Sequence, residues 1–179
     1  VASDARERIL AALRHLLSTG GLPAVTLEAV AAQAGVSKGG LLYHFPSKSH
    51  LLLGLLEQVK DKVIADMDQQ SAAVGGAQAY LQYSIPTEDE GFFTSLIAAV
   101  RTGTGPDAGA DPETEDRAAR LLVEIFTAWE APMRAEIDDP VQAELIKLVG
   151  NGIYLSAIAG LPLPDSGLLA AVFDRVLAR

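Results

Sequence analysis

Three breaks cut the stretch from Gly20 to Ser47: Gly20-Gly21 with Pro23, then Gly35, then Phe45-Pro46. They leave space for helices of only about two turns each, whatever the rest of the chain does. Leu27, Val30, Ala31 and Ala34 give the first of these one apolar face, behind a Thr26 suited to cap it. Gly35 supplies the positive φ needed to leave that helix, and Val36 is the expected buried plug of the turn. Ser37 caps the second, which ends near His44 because Pro46 disfavours helical backbone in the residue before it. Ala31 is small where the two helices should cross closely.

Longer helices flank this pair. Ile9, Leu10, Leu13, Leu16 and Leu17 place one amphipathic helix over about 3–18. Ser47 caps a fourth, carrying Leu51, Leu52, Leu55, Leu56, Val59, Val63 and Met67 along one side from Lys48 to about Gln70. Helical patterns follow at about 77–84, 88–101, 113–136, 140–159 and 166–178, with Pro132 expected to kink or divide the third. Glu88, Asp89 and Glu90 fit the acidic first turn of a helix, and the breaker-rich stretch 102–112 reads as a surface loop. No useful β-alternation occurs. The expectation is an all-α chain of about nine helices: a three-helix head over 1–47, joined by a long fourth helix to a body over 48–179.

Composition narrows the chemistry. The absence of cysteine excludes disulfides, thiolate zinc sites and thiol catalysis, and three histidines with scattered acids offer no metal constellation. No apolar run reaches membrane-spanning length, and the charged first residues do not resemble a signal peptide, so a cytoplasmic protein is expected. The net charge of -9 is unevenly spread. Residues 1–50 hold five Lys or Arg and three Asp or Glu, whereas the remainder holds nine and twenty. A mildly basic head on an acidic body is compatible with DNA contact by the head alone.

Three readings compete for AGVSKGGLLYHFPSKSHLL, residues 34–52. A nucleotide loop needs a preceding strand and a lysine after its glycines; here a helix precedes and Lys38 comes first. Catalysis would draw on His44, His50, Ser47 and Ser49, yet the serines are equally explained as caps or exposed polar residues, and no acidic orienter lies nearby. A helix-turn-helix asks for two short helices about a tight turn, with the second entering the major groove, and every part is present. Short helix pairs also pack together in proteins that never meet DNA, so spacing alone leaves this open.

Residues Thr26 to Ala31, Ala34 to Phe45, Ser47-Lys48 and Leu51-Leu52 together resemble the N-terminal domain of the TetR family of bacterial transcriptional repressors, with Arg8-Ile9-Leu10, Ala12 and Gly20 extending the match upstream. The resemblance covers about residues 6–56. It implies a homodimer whose third helices enter a palindromic double-stranded operator, released when a small effector binds the body. It implies no catalytic residue, cofactor or metal. By it, Thr26, Tyr43 and Lys48 contact phosphates, His44 helps or merely fastens the helix, and Ser37, Lys38, Gly39 and Gly40 face the groove. Leu42 and Gly40 depart from the pattern, each removing a polar side chain the family often carries there. Readout is therefore expected to lean on Lys38, main-chain contacts and operator shape.

The body is read from its aromatics. Phe92, Phe93, Phe126, Trp129, Met133 and Tyr154 either fill a core or line a largely apolar effector cavity, with Met67, Tyr80 and Tyr83 at its lower end and Asn151 as a further polar handle. Leu145, Leu148, Ile153, Leu155, Leu169, Val172, Phe173 and Val176 on the last two helices either pack within the chain or form a four-helix dimer seam. Two rivals remain: a regulatory or interaction module on this scaffold that binds no DNA, and a small helical enzyme, which would need a convergent acid–base pair.

Overall fold

The computed structural model describes residues 2–85, 90–102 and 112–178. Among them run α1 (Ala2–Gly20), a 3-10 turn (Leu22–Ala24), α2 (Leu27–Ala34), α3 (Lys38–His44), α4 (Lys48–Val74), α5 (Gly76–Tyr83), α6 (Glu90–Thr102), α7 (Pro112–Glu136), α8 (Pro140–Ile158) and α9 (Ser166–Leu177). The architecture is all-α: α4 joins the three-helix head to a helical body. The expected loop at 102–112, apart from its helical ends, lies outside the described residues, as do the side chains of Glu88, Asp89 and Glu90.

α1 runs through Gly20, two residues beyond its expected end. The hydroxyls of Ser18 and Thr19 donate back to the Arg14 and His15 carbonyls (3.0 and 2.8 Å), which keeps both residues helical. Gly21, at φ 64°, then turns the chain away. α7 passes through Pro132 undivided, although proline removes one helical N–H.

The chain divides into two compact units, Val1–Val59 with Asp89–Glu124, and Lys60–Glu88 with Ile125–Arg179. In the first, α1 packs on α2 and α6, the 3-10 turn on α1 and α6, and α2 on α3. Ile9, Leu10, Leu13 and Leu17 of α1 are buried with Val30, Leu41, Phe45 and Phe92. At roughly 1.5–3 kcal/mol for each large apolar side chain, this core holds the short α2 and α3, which are too short to be stable alone. Gly54 lets the Phe45 ring lie against α4, since a Cβ there would meet that ring at 2.6 Å.

In the second unit α5 packs on α8 and α9, and α8 on α9. Two glycines permit the closest approaches. A Cβ on Gly76 would run into the Pro132 carbonyl, and one on Gly150 into the Tyr80 ring. Gly75 has no side chain to cap α5, so Glu136 accepts from the Ala77 N–H instead (3.1 Å). Asp139 and Asp165 cap α8 and α9 by accepting from Val141 and Leu168 N–H (both 2.9 Å).

Candidate nucleic-acid interface and body site

The head's two short helices are held at both ends by local chemistry. Thr26 Oγ1 accepts from the Ala29 N–H at 3.0 Å and starts α2. Gly35 closes it in the left-handed region at φ 65°, and the Val36 N–H reaches back to the Ala31 carbonyl at 3.0 Å. Arg8 of α1 adds a donor to the Ala34 carbonyl at 3.3 Å, satisfying one of the unmet groups at the end of α2. Ser37 Oγ then accepts from the Gly40 N–H at 3.0 Å and starts α3. Leu41 and Phe45 are buried, fixing the rotation of α3 so that its first turn faces outward. Val36 is half-buried, less covered than a plug would be, because the tight turn leaves one side of it open.

That outward face carries most of the expected DNA-contacting residues. Ser37, Lys38, Gly39 and Tyr43 are exposed, Gly40 and His44 half-buried. Tyr43 is 83% exposed, with its ring edge-on to His44 at 5.2 Å. An aromatic held that far into solvent has its hydroxyl free to reach a partner. Thr26 is exposed too, on the preceding helix. A Cβ on Gly39 would meet nothing within 4 Å, so packing within the chain gives no reason for glycine there. One on Gly40 would sit 3.2 Å from Ser37 Oγ, pressing on the cap.

Two lysines differ in setting. Lys38 Nζ donates to Glu28 Oε1 on α2 at 2.6 Å, between two exposed side chains. That hydrogen bond, first, holds the Glu28 carboxyl below the usual glutamate range, helped by its own backbone N–H and the lysine's charge. Lys48, the first residue of α4, is half-buried along an apolar crevice with Leu13, Leu17, Leu22, Val25, Leu52 and Ala99. Burial lowers its pKa by disfavouring the ammonium. A cation at a helix N-terminus also meets the unfavourable end of the dipole, and both penalties would ease beside an anion. Next to it, Ser47 Oγ lies 2.8 Å from His50 Nδ1 and accepts from the His50 N–H at 3.3 Å. The serine is thus engaged in capping α4.

The body's rings collect around Trp129 on α7. Its centroid lies 5.0 Å from that of Tyr80, 5.3 Å from Tyr154, 5.9 Å from Phe126 and 6.0 Å from Tyr83. Trp129 is 4% exposed, and its indole N–H finds no acceptor among the described residues. Tyr80 donates its hydroxyl proton to Asn151 Oδ1 at 3.1 Å, with the Lys147 carbonyl at 3.3 Å. Tyr83 donates to Asp66 Oδ2 (3.1 Å), which also accepts from Lys62 (2.8 Å). Desolvation raises the phenol pKa of both Tyr80 and Tyr154, the latter to about 12. Met67 and Met133 are buried in the same unit. Phe92 and Phe93 lie instead in the first unit, 5.0 Å apart, with the Arg14 guanidinium over the Phe92 ring at 4.5 Å.

The seam candidates separate by exposure. Leu145, Leu148 and Leu155 are 50%, 60% and 57% exposed. With exposed Val141 and Gly152 they follow a 4-3-4-3 spacing along α8, a continuous apolar stripe. Val172 and Val176 are half-buried, whereas Ile153, Leu169 and Phe173 are buried within the chain. The Gln142 amide donates to the Val176 carbonyl and pins α9 to α8.

One residue of this site has no role in the sequence reading: Glu28, whose pairing with Lys38 spans ten positions across a turn.

Comparison with known proteins agrees with this layout. Residues 9–55 match the family of bacterial regulatory proteins, tetR family, and residues 76–179 match the family described as Tetracyclin repressor-like, C-terminal domain. The nucleoid occlusion factor SlmA of Shewanella denitrificans is 35% identical over 162 residues, spanning 82% of this chain and 79% of that protein. The HTH-type transcriptional repressor KstR of Mycolicibacterium smegmatis is 37% identical over 126 residues, 69% of this chain and 61% of that protein. Among solved structures, the transcriptional regulator SCO7518 from Streptomyces coelicolor A3(2) superposes with a TM-score of 0.69 at 22% identity, covering 98% of this chain and 99% of that one. The multidrug binding protein EbrR complexed with ethidium gives 0.67 at 18%, covering 97% and 98%.

Proposed function

The chain belongs to the TetR family of bacterial regulatory proteins, and on that premise we propose that it is a homodimeric repressor, released from a palindromic operator by a small, largely apolar effector. The observation that carries this reading is the capped α2–turn–α3 unit with Ser37, Lys38, Gly39 and Tyr43 all facing solvent on one element. Residues 1–47 serve as the DNA-reading head and 48–179 as the effector and dimerisation body. Lys38 reads bases, while Thr26, Tyr43 and Lys48 hold phosphates. The exposed stripe of Leu145, Leu148 and Leu155 supports a two-fold seam between copies, which sets the spacing of the half-sites. The ring cluster about Trp129, with its unmet N–H, supports an effector site, and the relative KstR, named a transcriptional repressor, supports repression. EbrR, named as multidrug binding, supports small-molecule binding by a body of this fold.

The test is salt-dependent binding to a duplex recovered by selection from random DNA. Lys48→Ala weakens binding to selected and random duplexes alike and makes the salt slope shallower by about 1 per head. Lys38→Ala weakens the selected duplex more and changes base preference. A dimer that binds neither duplex at low salt overturns the repressor reading in favour of an interaction module. Equal losses on both duplexes for both variants would sink the division of labour between the two lysines.

A further inference from the structure

Lys38 stands at the first position of α3 and Glu28 in the first turn of α2, and their side chains meet at 2.6 Å. Both are more than half exposed, so the pair adds little to stability. Its position gives it another consequence. A carboxylate on the face that meets DNA repels phosphates, and here it lies on the one lysine of α3. The pair is neutral as a unit, so Lys38 loses most of its sequence-blind attraction for the backbone. Its ammonium still has three protons, of which Glu28 takes one. The remaining two suffice for the O6 and N7 acceptors of a guanine edge. The bond also restrains a side chain that would otherwise sample many rotamers, lowering the entropy lost on docking.

We infer that Glu28 is a positioning residue for DNA reading: its carboxylate cancels the charge of Lys38 and aims the ammonium, converting Lys38 from a phosphate clamp into a base reader. This rests on the operator-binding reading above. Glu28 is a specificity device because it subtracts affinity from every wrong site, where Lys38 would act only through its charge, more than from the right one.

The experiment compares the wild-type dimer with Glu28→Gln, Lys38→Met and the double variant. Each is titrated with the duplex selected by the wild type and with a random duplex of equal length, between 50 and 200 mM salt. Glu28→Gln keeps the shape and an acceptor oxygen while removing the charge. It is expected to tighten random-duplex binding and to steepen its salt slope by about 1 per head, about 2 for the dimer, roughly a twelvefold extra loss across that salt range. Affinity for the selected duplex changes less, so the specificity ratio falls. In the Lys38→Met background the same substitution leaves the ratio unchanged, because Glu28 acts through Lys38. A ratio unchanged by Glu28→Gln, or a fall of equal size without Lys38, overturns the inference while the operator reading stands. A lowered melting temperature with an unchanged ratio overturns it as well, leaving Glu28 only a favourable charge at the start of α2. If the wild type enriches no duplex, the operator reading and this inference fall together.

Discussion

Gly39→Ala separates what α3 needs for folding from what it needs for DNA. Gly39 is the second residue of α3, exposed, and not among the glycines with positive φ. A methyl group there would touch nothing within 4 Å, so the substitution removes no contact and adds no clash within the chain. Alanine is favoured over glycine by about 1 kcal/mol in a helix interior, and near the start of a seven-residue helix roughly half of that is expected. For a chain of this size, about 0.5–1 kcal/mol raises the melting temperature by roughly 1–4 °C. The second half of the prediction runs the other way. If the glycine is present because α3 lies close against DNA, the methyl pushes the helix outward. Misplacing the Lys38 contact should then cost about 1–3 kcal/mol, a loss of roughly fivefold to 150-fold in affinity for the selected duplex. Thermal denaturation by circular dichroism reads the first quantity and fluorescence anisotropy the second. A variant both more stable and undiminished in affinity refutes the close-approach argument; a less stable one refutes the reading of α3 itself. Gly40→Ala is a poorer probe, because its Cβ would press on the Ser37 cap and mix the two effects.

Two further outcomes follow from the body. Leu148→Glu places a charge in the middle of the exposed α8 stripe, and by symmetry in both copies. If the stripe is the proposed seam, losing two leucines that it would bury, at about 1.5–3 kcal/mol each, should give a monomer by sedimentation with helix content intact; a dimer unshifted by the substitution places the seam elsewhere. Tyr154, whose phenol is raised to about 12, favours folding below the ordinary phenol value and loses that contribution as pH climbs towards 12. In an alkaline absorbance titration its phenolate signal should appear late and together with unfolding. Tyr154→Phe should shrink that late component and leave the share of Tyr80, whose phenol burial also raises; a phenolate of Tyr154 that forms before unfolding would contradict the burial argument.

The head was legible because its determinants are local. Thr26 and Ser37 cap within three residues of themselves, Gly35 turns the chain by its own φ, and apolar residues at three- and four-residue spacing name the buried face. Helix ends misread by two residues, as at Gly20, reflect hydroxyl back-bonding that periodicity does not register. The body was legible only as a set of helices. The sequence put Phe92 and Phe93 beside Trp129 as one set of aromatics, but hydrophobicity carries no address. The first two stand in one compact unit with Arg14, the last in the other with Tyr80 and Tyr154. Nor could spacing distinguish Leu148 from Ile153, both apolar on α8, since only the partners on α5 and α9 decide which face is covered.

The same contrast governs what the glycines and the acid of the reading surface mean. Read along the chain, both Gly39 and Gly40 face the groove without a side chain, and Gly40 counts as a loss where the family often carries a polar one. In three dimensions they differ, one facing open space and the other lying over a cap. Glu28 likewise changes value, from a favourable charge at the start of a helix to a group that neutralises the lysine at the start of the next. On the operator-binding reading, α3 itself adds little sequence-blind attraction, because its one lysine is neutralised, and the phosphate contacts fall to Thr26, Tyr43 and Lys48. Discrimination on such a surface must come from fit, the close seating of α3 and the shape of the duplex that permits it, more than from the number of contacts. That is why Gly39→Ala and Glu28→Gln should move specificity in the same direction by opposite routes, the first by weakening the right site and the second by strengthening the wrong ones.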